Sequence, residues 1–157
     1  MLYFAKVKEQ AIIPTKNEED AGYDLYACID HDIVIRPHET VMLPTGIATA
    51  FDKDYAMILK ERGSTGTKGI AQRCGVIDSG FRGEIMVPVT NTTTKPILLT
   101  DNPDTAYAGY TIYPTSKAIS QAVMVVIPTL ETKEISYEQL KAMKSLRQTG
   151  MLGSSGK

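Results

Sequence analysis

Gly75-Val76-Ile77-Asp78-Ser79-Gly80-Phe81-Arg82-Gly83-Glu84 is the stretch around which this chain reads as organised. Two apolar residues run into a carboxylate; a Ser-Gly pair, an aromatic ring and Arg-Gly-Glu follow. Gly75, Gly80 and Gly83 are places where backbone can turn tightly or meet a ligand without a Cβ in the way. Val76 and Ile77 are expected to anchor the first arm of a hairpin in the core, leaving Asp78 where the strand surfaces. Taken alone, the stretch is a surface hairpin with an Asx-type turn. Three other Gly-rich polar stretches, each abutting a strand-like run, give it a functional context.

Working outward, short β-prone runs recur at 2–8, 33–35, 41–43, 46–50, 55–61, 70–73, 84–91 and 96–100. Turn residues such as Arg36-Pro37-His38, Pro44-Thr45-Gly46 and Asp52-Lys53-Asp54 separate them. The run 122–127, β-branched and Met-rich, is the expected central core strand. A loop from Asp101 leads to Tyr107, Tyr110 and Tyr113, which are expected to form an aromatic patch. Many short strands with little helical periodicity predict an all-β fold, an antiparallel sandwich or jelly roll. One late helix is expected, because Ser136-Tyr137-Glu138-Gln139 has the form of a capping box. Residues 1–146 then form one β domain including that helix. Residues 147–157 form a Gly/Ser-rich arm, either a flexible tail or a phosphate-wrapping nest.

At 157 residues and 17.2 kDa the chain is long enough for one real core. Its 17 basic and 18 acidic residues leave a net charge of -1, with no general attraction to nucleic acid or anionic membrane. Cys28 and Cys74 have neither metal-ligand nor CxxC spacing and are expected to be reduced, core-facing thiols. No apolar run reaches membrane-spanning length, and charge arrives too early for a signal peptide, so a cytoplasmic location is expected.

Arg62-Gly63-Ser64-Thr65-Gly66-Thr67-Lys68-Gly69 offers a guanidinium, an ammonium, hydroxyls and open backbone amides, all donors suited to oxyanions. It lacks the spacing of a Walker A loop. Asp24 is either a turn former or an outer-shell metal ligand, and Gln121 either caps a sheet end or holds a metal-bound water. His31 and His38 lie in charged loops far in sequence from the Gly-rich stretches and make poor catalytic candidates. On a polyphosphate, Mg²⁺ would neutralise oxygens, the cations and hydroxyls would clamp the chain, and one carboxylate would activate water.

These stretches, in order, closely resemble the five motifs of the trimeric dUTP diphosphatases (dUTPases). Ala21–Leu25, Arg62–Lys68, Gly75–Glu84, Ala118–Gln121 and Arg147–Gly156 match the first to the fifth. The third is the specific one. The resemblance implies a jelly-roll homotrimer hydrolysing dUTP to dUMP and pyrophosphate with Mg²⁺ on the triphosphate. A phage or prophage origin would suit so compact a member of the family. Three active sites would lie at subunit interfaces, each completed by a swapped C-terminal arm. The resemblance makes Asp78 the general base for water attacking the α-phosphorus. Asp24 and Gln121 would hold the metal through water. Arg62, Gly63 and Ser64 would bind phosphate, and Gly75, Val76 and Ile77, with Gln72, would surround the uracil. Phe81 would lie against deoxyribose; Arg147, Leu152, Gly153, Ser154 and Ser155 would close the site. Departures are the order Arg62-Gly63-Ser64 where Arg-Ser-Gly is usual, Phe81 for Tyr, Leu152 for the usual aromatic, and Met151 for Gly. A dCTP deaminase of the same fold and a regulatory or structural trimer are the alternatives.

Overall fold

A computed structural model describes residues 1–104 and 108–145. Turn residues cut the first half into β1 (Leu2–Lys6), β2 (Tyr23–Leu25), β3 (Ile33–Ile35), β4 (Thr40–Pro44), β5 (Ile47–Phe51) and β6 (Tyr55–Lys60). A one-turn helix α1 (Gly63–Gly66) precedes β7 (Ile70–Gln72), β8 (Val76–Ile77) and β9 (Met86–Asn91). Then come β10 (Ile97–Thr100), β11 (Thr111–Pro114), β12 (Ser120–Val126) and helix α2 (Tyr137–Lys141).

The strands pair as β2-β12-β6-β8, β4-β9-β7, β11-β10-β3 and β1-β5. Among the described residues β10 and β11 are the one pair of sequence neighbours that share a ladder, and that ladder is parallel. Every other pair is antiparallel and joins distant segments, so the chain passes repeatedly between sheets, as an all-β jelly roll requires. The inner faces meet at Leu25, Ile35, Leu43, Ile47, Met57, Ile85, Val87 and Leu99, all buried. In β5, Ile47, Thr49 and Phe51 are buried while Ala48 and Ala50 are less so, the period-two signature of one covered face. Asn91 is buried with its amide satisfied. Its Nδ2 donates to the Ile35 and Lys95 carbonyls, and its Oδ1 accepts from the Thr93 amide and hydroxyl.

The run expected at 122–127 is largely β12, flanked by β2 and β6, but only Ala122 is buried; Val123–Val125 are half-buried, and Val126 and Ile127 are exposed. The predicted capping box forms: Ser136 Oγ accepts from the Gln139 amide, and Gln139 Oε1 accepts from the Ser136 amide. α2 buries none of its residues, however, and Leu140 and Met143 are exposed. Two expectations need correction. Cys28 is buried, but Cys74 is exposed, in a left-handed turn at φ 53°. Tyr113 is no part of an exposed aromatic patch: it is buried on β11, while Tyr110 is exposed and Tyr107 lies outside the described residues. No helix among the described residues is long and apolar enough to cross a membrane.

Candidate active site

The β2–β12 register sets Gln121 opposite Asp24, and the β12–β6 register sets Gln121 opposite Lys60. Glu61 and Arg62, just beyond β6, therefore meet Asp24 and Gln121 at one end of the sheet. Arg62 grips Asp24 as a fork, Nε to Oδ1 at 2.9 Å and Nη2 to Oδ2 at 3.2 Å. Gln121 Nε2 donates to the Glu61 carbonyl at 2.8 Å. Gly22 leaves space for that amide, since a Cβ there would lie 2.8 Å from Gln121 Oε1. A polar cavity of about 500 Å³ opens here, lined by Asn17, Asp20, Asp24, Arg62, Gly63, Ser64 and Gln121 among others.

The Gly-rich stretch after Arg62 is not an open loop throughout but begins as the single turn α1. Thr65, fully buried, holds it: its Oγ1 accepts from the Arg62 amide at 3.0 Å and lies 2.9 Å from the Arg62 carbonyl. Among the described residues no cluster of three His, Cys, Asp or Glu forms a direct metal site. Asp24 keeps lone pairs beyond those Arg62 occupies, and Gln121 Oε1 is a second oxygen. Such donors suit a hydrated hard cation better than an all-protein cage.

The second group lies on β8, an edge strand that pairs with β6 through Met57↔Ile77 and Ile58↔Val76. The Leu59 amide donates to the Gly75 carbonyl at 2.7 Å. Gly75 sits at φ 119°, where a Cβ would come within 2.9 Å of both the Leu59 carbonyl and Gln72 Nε2. This ladder, rather than the core, anchors the hairpin. Val76 is 67% exposed and Ile77 half-buried, because a two-residue edge strand has no layer covering its outer face. The turn closes through the Phe81 amide to the Asp78 carbonyl at 3.0 Å, and Arg82 Nη1 staples it by donating to the Ser79 and Phe81 carbonyls. Phe81's ring lies over Gly83, where a Cβ would approach it to 2.6 Å. Gly80 has open space around it and no such constraint. A largely apolar cavity of about 310 Å³ lies between this hairpin and Met42, Met86 and Pro88, with Cys74 and Asp78 at its edge.

Gln72 links the two groups. Its Oε1 accepts from Ser120 Oγ at 2.6 Å and its backbone N–H donates to Glu61 Oε1 at 3.1 Å. Its Nε2 is buried without a hydrogen-bond partner among the described residues. The backbone amide of Glu61 itself, and then that of Gln72, hold the Glu61 carboxyl below its usual pKa against the opposing effect of burial. Glu61, Thr65 and Arg82 escape a sequence reading because their roles are contacts to backbone, which no residue-type pattern announces. Gly75→Ala is expected to cost about 1–3 kcal/mol of stability, the strain of a left-handed position plus backbone crowding. Urea unfolding measures it, and an unchanged midpoint would show that the turn tolerates a side chain.

Asp78 and Arg62 do not meet within the chain. Extending the β6–β8 register puts Asp78 level with Ala56, six residues before Arg62. At about 3.3 Å per residue the separation is about 20 Å, far more than one water can bridge. Asp24, Arg62, Gly63, Ser64 and Gln121 are brought together; Gly75, Val76, Ile77, Asp78 and Phe81 form the other set. Arg147, Leu152, Gly153, Ser154 and Ser155 lie outside the described residues.

The dUTPase family model matches residues 8–106. The deoxyuridine 5'-triphosphate nucleotidohydrolase of Hydrogenobaculum sp. (strain Y04AAS1) is 31% identical over 159 residues, covering 99% of this chain and 97% of that protein. That of Leptospira interrogans serovar copenhageni is 32% identical over 94 residues, 57% of this chain, and the match spans 65% of the relative's length. A solved structure, a point mutant of the Staphylococcus bacteriophage 80alpha dUTPase with dUpNHpp, is similar at a TM-score of 0.78 and 26% identity. That match covers 100% of this chain and 99% of the phage chain.

Proposed function

The chain belongs to the dUTPase family, and on that premise we propose that it hydrolyses dUTP to dUMP and pyrophosphate. The observation that carries this reading is the division of chemistry between two cavities. One is apolar, bounded by a hairpin, with the Asp78 carboxylate at its edge; the other is polar and holds the Arg62–Asp24 fork. A nucleoside triphosphate has the same two halves. The backbone separation of about 20 Å between Asp78 and Arg62 within one chain supports sites assembled between chains, and we propose a homotrimer with three interfacial sites. The exposed Leu130, Tyr137, Leu140 and Met143, unburied by their own chain, support packing of the late segment on a neighbour.

In this reading the hairpin's backbone N–H and C=O groups meet the uracil edge, and a rigid hairpin there excludes thymine's methyl. Asp78 takes a proton from water as the water oxygen bonds to the α-phosphorus. The bond from that phosphorus to the α,β-bridging oxygen breaks, and pyrophosphate leaves with the electron pair. Arg62, Gly63 and Ser64 hold phosphate oxygens. Mg²⁺, when bound, neutralises charge on the triphosphate, with Asp24 and Gln121 holding its waters. The arm 147–157 of a neighbouring subunit closes the site, Arg147, Gly153, Ser154 and Ser155 over the β- and γ-phosphates and Leu152 over the base. Gln72 sits beneath Gly75 and supports the base cavity. A cytoplasmic site of action completes the proposal.

The test is product analysis with dUTP, dTTP, dCTP and UTP. Pyrophosphate release from dUTP far above the other three is expected. Ammonia from dCTP would favour a deaminase, and binding without turnover a regulatory trimer. Phe81, on Gly83 at the cavity edge, is assigned to the sugar. Phe81→Ala should therefore lose more dUTP/UTP than dUTP/dTTP discrimination in kcat/KM. Unchanged rejection of UTP by a folded F81A protein would take Phe81 out of sugar selection.

A further inference from the structure

We propose that Tyr113 is a positioning residue for the polar cavity, its hydroxyl sharing a carbonyl acceptor with Arg62 and its ring carrying Lys68. The proposal rests on the dUTPase reading of that cavity. β11 is an edge strand of the β11-β10-β3 sheet, yet Tyr113 is only 3% exposed. Its hydroxyl donates to the Ala118 carbonyl at 2.7 Å, and Arg62 Nη1 approaches the same oxygen at 3.4 Å. The phenol makes the better bond and fixes that carbonyl. The guanidinium is then left to make its shorter fork with Asp24. Lys68, just past α1, has its Nζ 5.9 Å from the centre of the Tyr113 ring, within cation–π reach.

Burial raises the Tyr113 pKa above its usual value, with Arg62 lowering it and Asp24 raising it by smaller amounts, so the hydroxyl stays a donor. A residue that merely filled the core would need neither the shared acceptor nor the ammonium over its ring. One side chain therefore shares an acceptor with Arg62, which lines the polar cavity, and carries the Lys68 ammonium over its ring. The strand supplying it follows a stretch whose residues match none of the five motifs.

The experiment compares full-length wild type, Tyr113→Phe, Tyr113→Leu, Lys68→Ala and the Leu/Ala double variant. Inorganic tripolyphosphate binding is measured by calorimetry at fixed ionic strength, alongside dUTP kinetics, dUMP inhibition and thermal unfolding. Y113F keeps the ring and should fold. It should weaken tripolyphosphate binding and raise KM for dUTP by about 3–10-fold, the size of one lost hydrogen bond, with kcat changed less than about twofold. dUMP inhibition should stay unchanged. Y113L should lose more, and K68A should add less in the Y113L background than in wild type. Wild-type tripolyphosphate affinity in Y113F, equal losses for dUMP and dUTP, or no tripolyphosphate binding by the wild type would overturn the proposal. Failure of the wild type to turn over dUTP would instead sink the functional reading, while the tripolyphosphate series still tests Tyr113 by itself.

Discussion

Asp78→Asn is expected to cut dUTP turnover by about 10²–10⁴-fold, the usual cost of losing a general base, with fold and nucleotide affinity retained. The reason lies in what holds the hairpin. Its closing bonds run from the Phe81 amide to the Asp78 carbonyl and from Arg82 to the Ser79 and Phe81 carbonyls. None uses the Asp78 carboxylate, so a carboxamide of the same shape leaves the turn intact and removes the proton acceptor. The side chain is exposed at the edge of the apolar cavity, where a water can reach it. The measurements are kcat, KM and dUMP inhibition, with thermal unfolding as the control for folding. A D78N protein with near-normal kcat would remove Asp78 from the chemistry. A matching fall in dUMP affinity would mean that the carboxylate shapes the pocket instead.

Much of the architecture was legible because turn residues punctuate it. The runs at 33–35, 41–43, 55–61 and 96–100 became β3, β4, β6 and β10 with end shifts of a residue or so. β11 was not legible. Its parallel partner β10 lies across a loop, and a Tyr-rich stretch ending in Pro114 has no local alternation to announce a strand. Periodicity says which residues share a face; it does not say whether another layer covers that face. Val76 was therefore misplaced in the core, and Tyr113 was grouped with Tyr107 and Tyr110 in an aromatic patch although it is buried. The residue types of the site were legible in their motifs. The bonds of Glu61 to Gln72 and of Tyr113 to Ala118 depend on strand registers that only the folded chain sets. So does the separation of Asp78 from Arg62.

That distance leads to the second large effect. Arg62→Gln, like D78N, is expected to be nearly inactive alone, because it removes the guanidinium proposed to hold phosphate and leaves Asp24 without its ion-pair partner. If both residues served one phosphorus from a single chain, mixing the two variants would restore nothing, since every chain would lack one of them. With Asp78 and Arg62 about 20 Å apart along the backbone, the proposed interfacial site draws them from different subunits. A site is then competent when an R62Q chain supplies Asp78 and a D78N chain supplies Arg62. In a fully exchanged equimolar mixture the two choices are each about one half, so about a quarter of sites should recover activity. Denaturation and refolding of the mixture, with subunit exchange verified by mass tags, sets up the measurement. Recovery near a quarter of wild-type kcat per site is the expected result. Activity no greater than the mean of the two parents after verified exchange would place both residues in one chain's site and refute interfacial assembly.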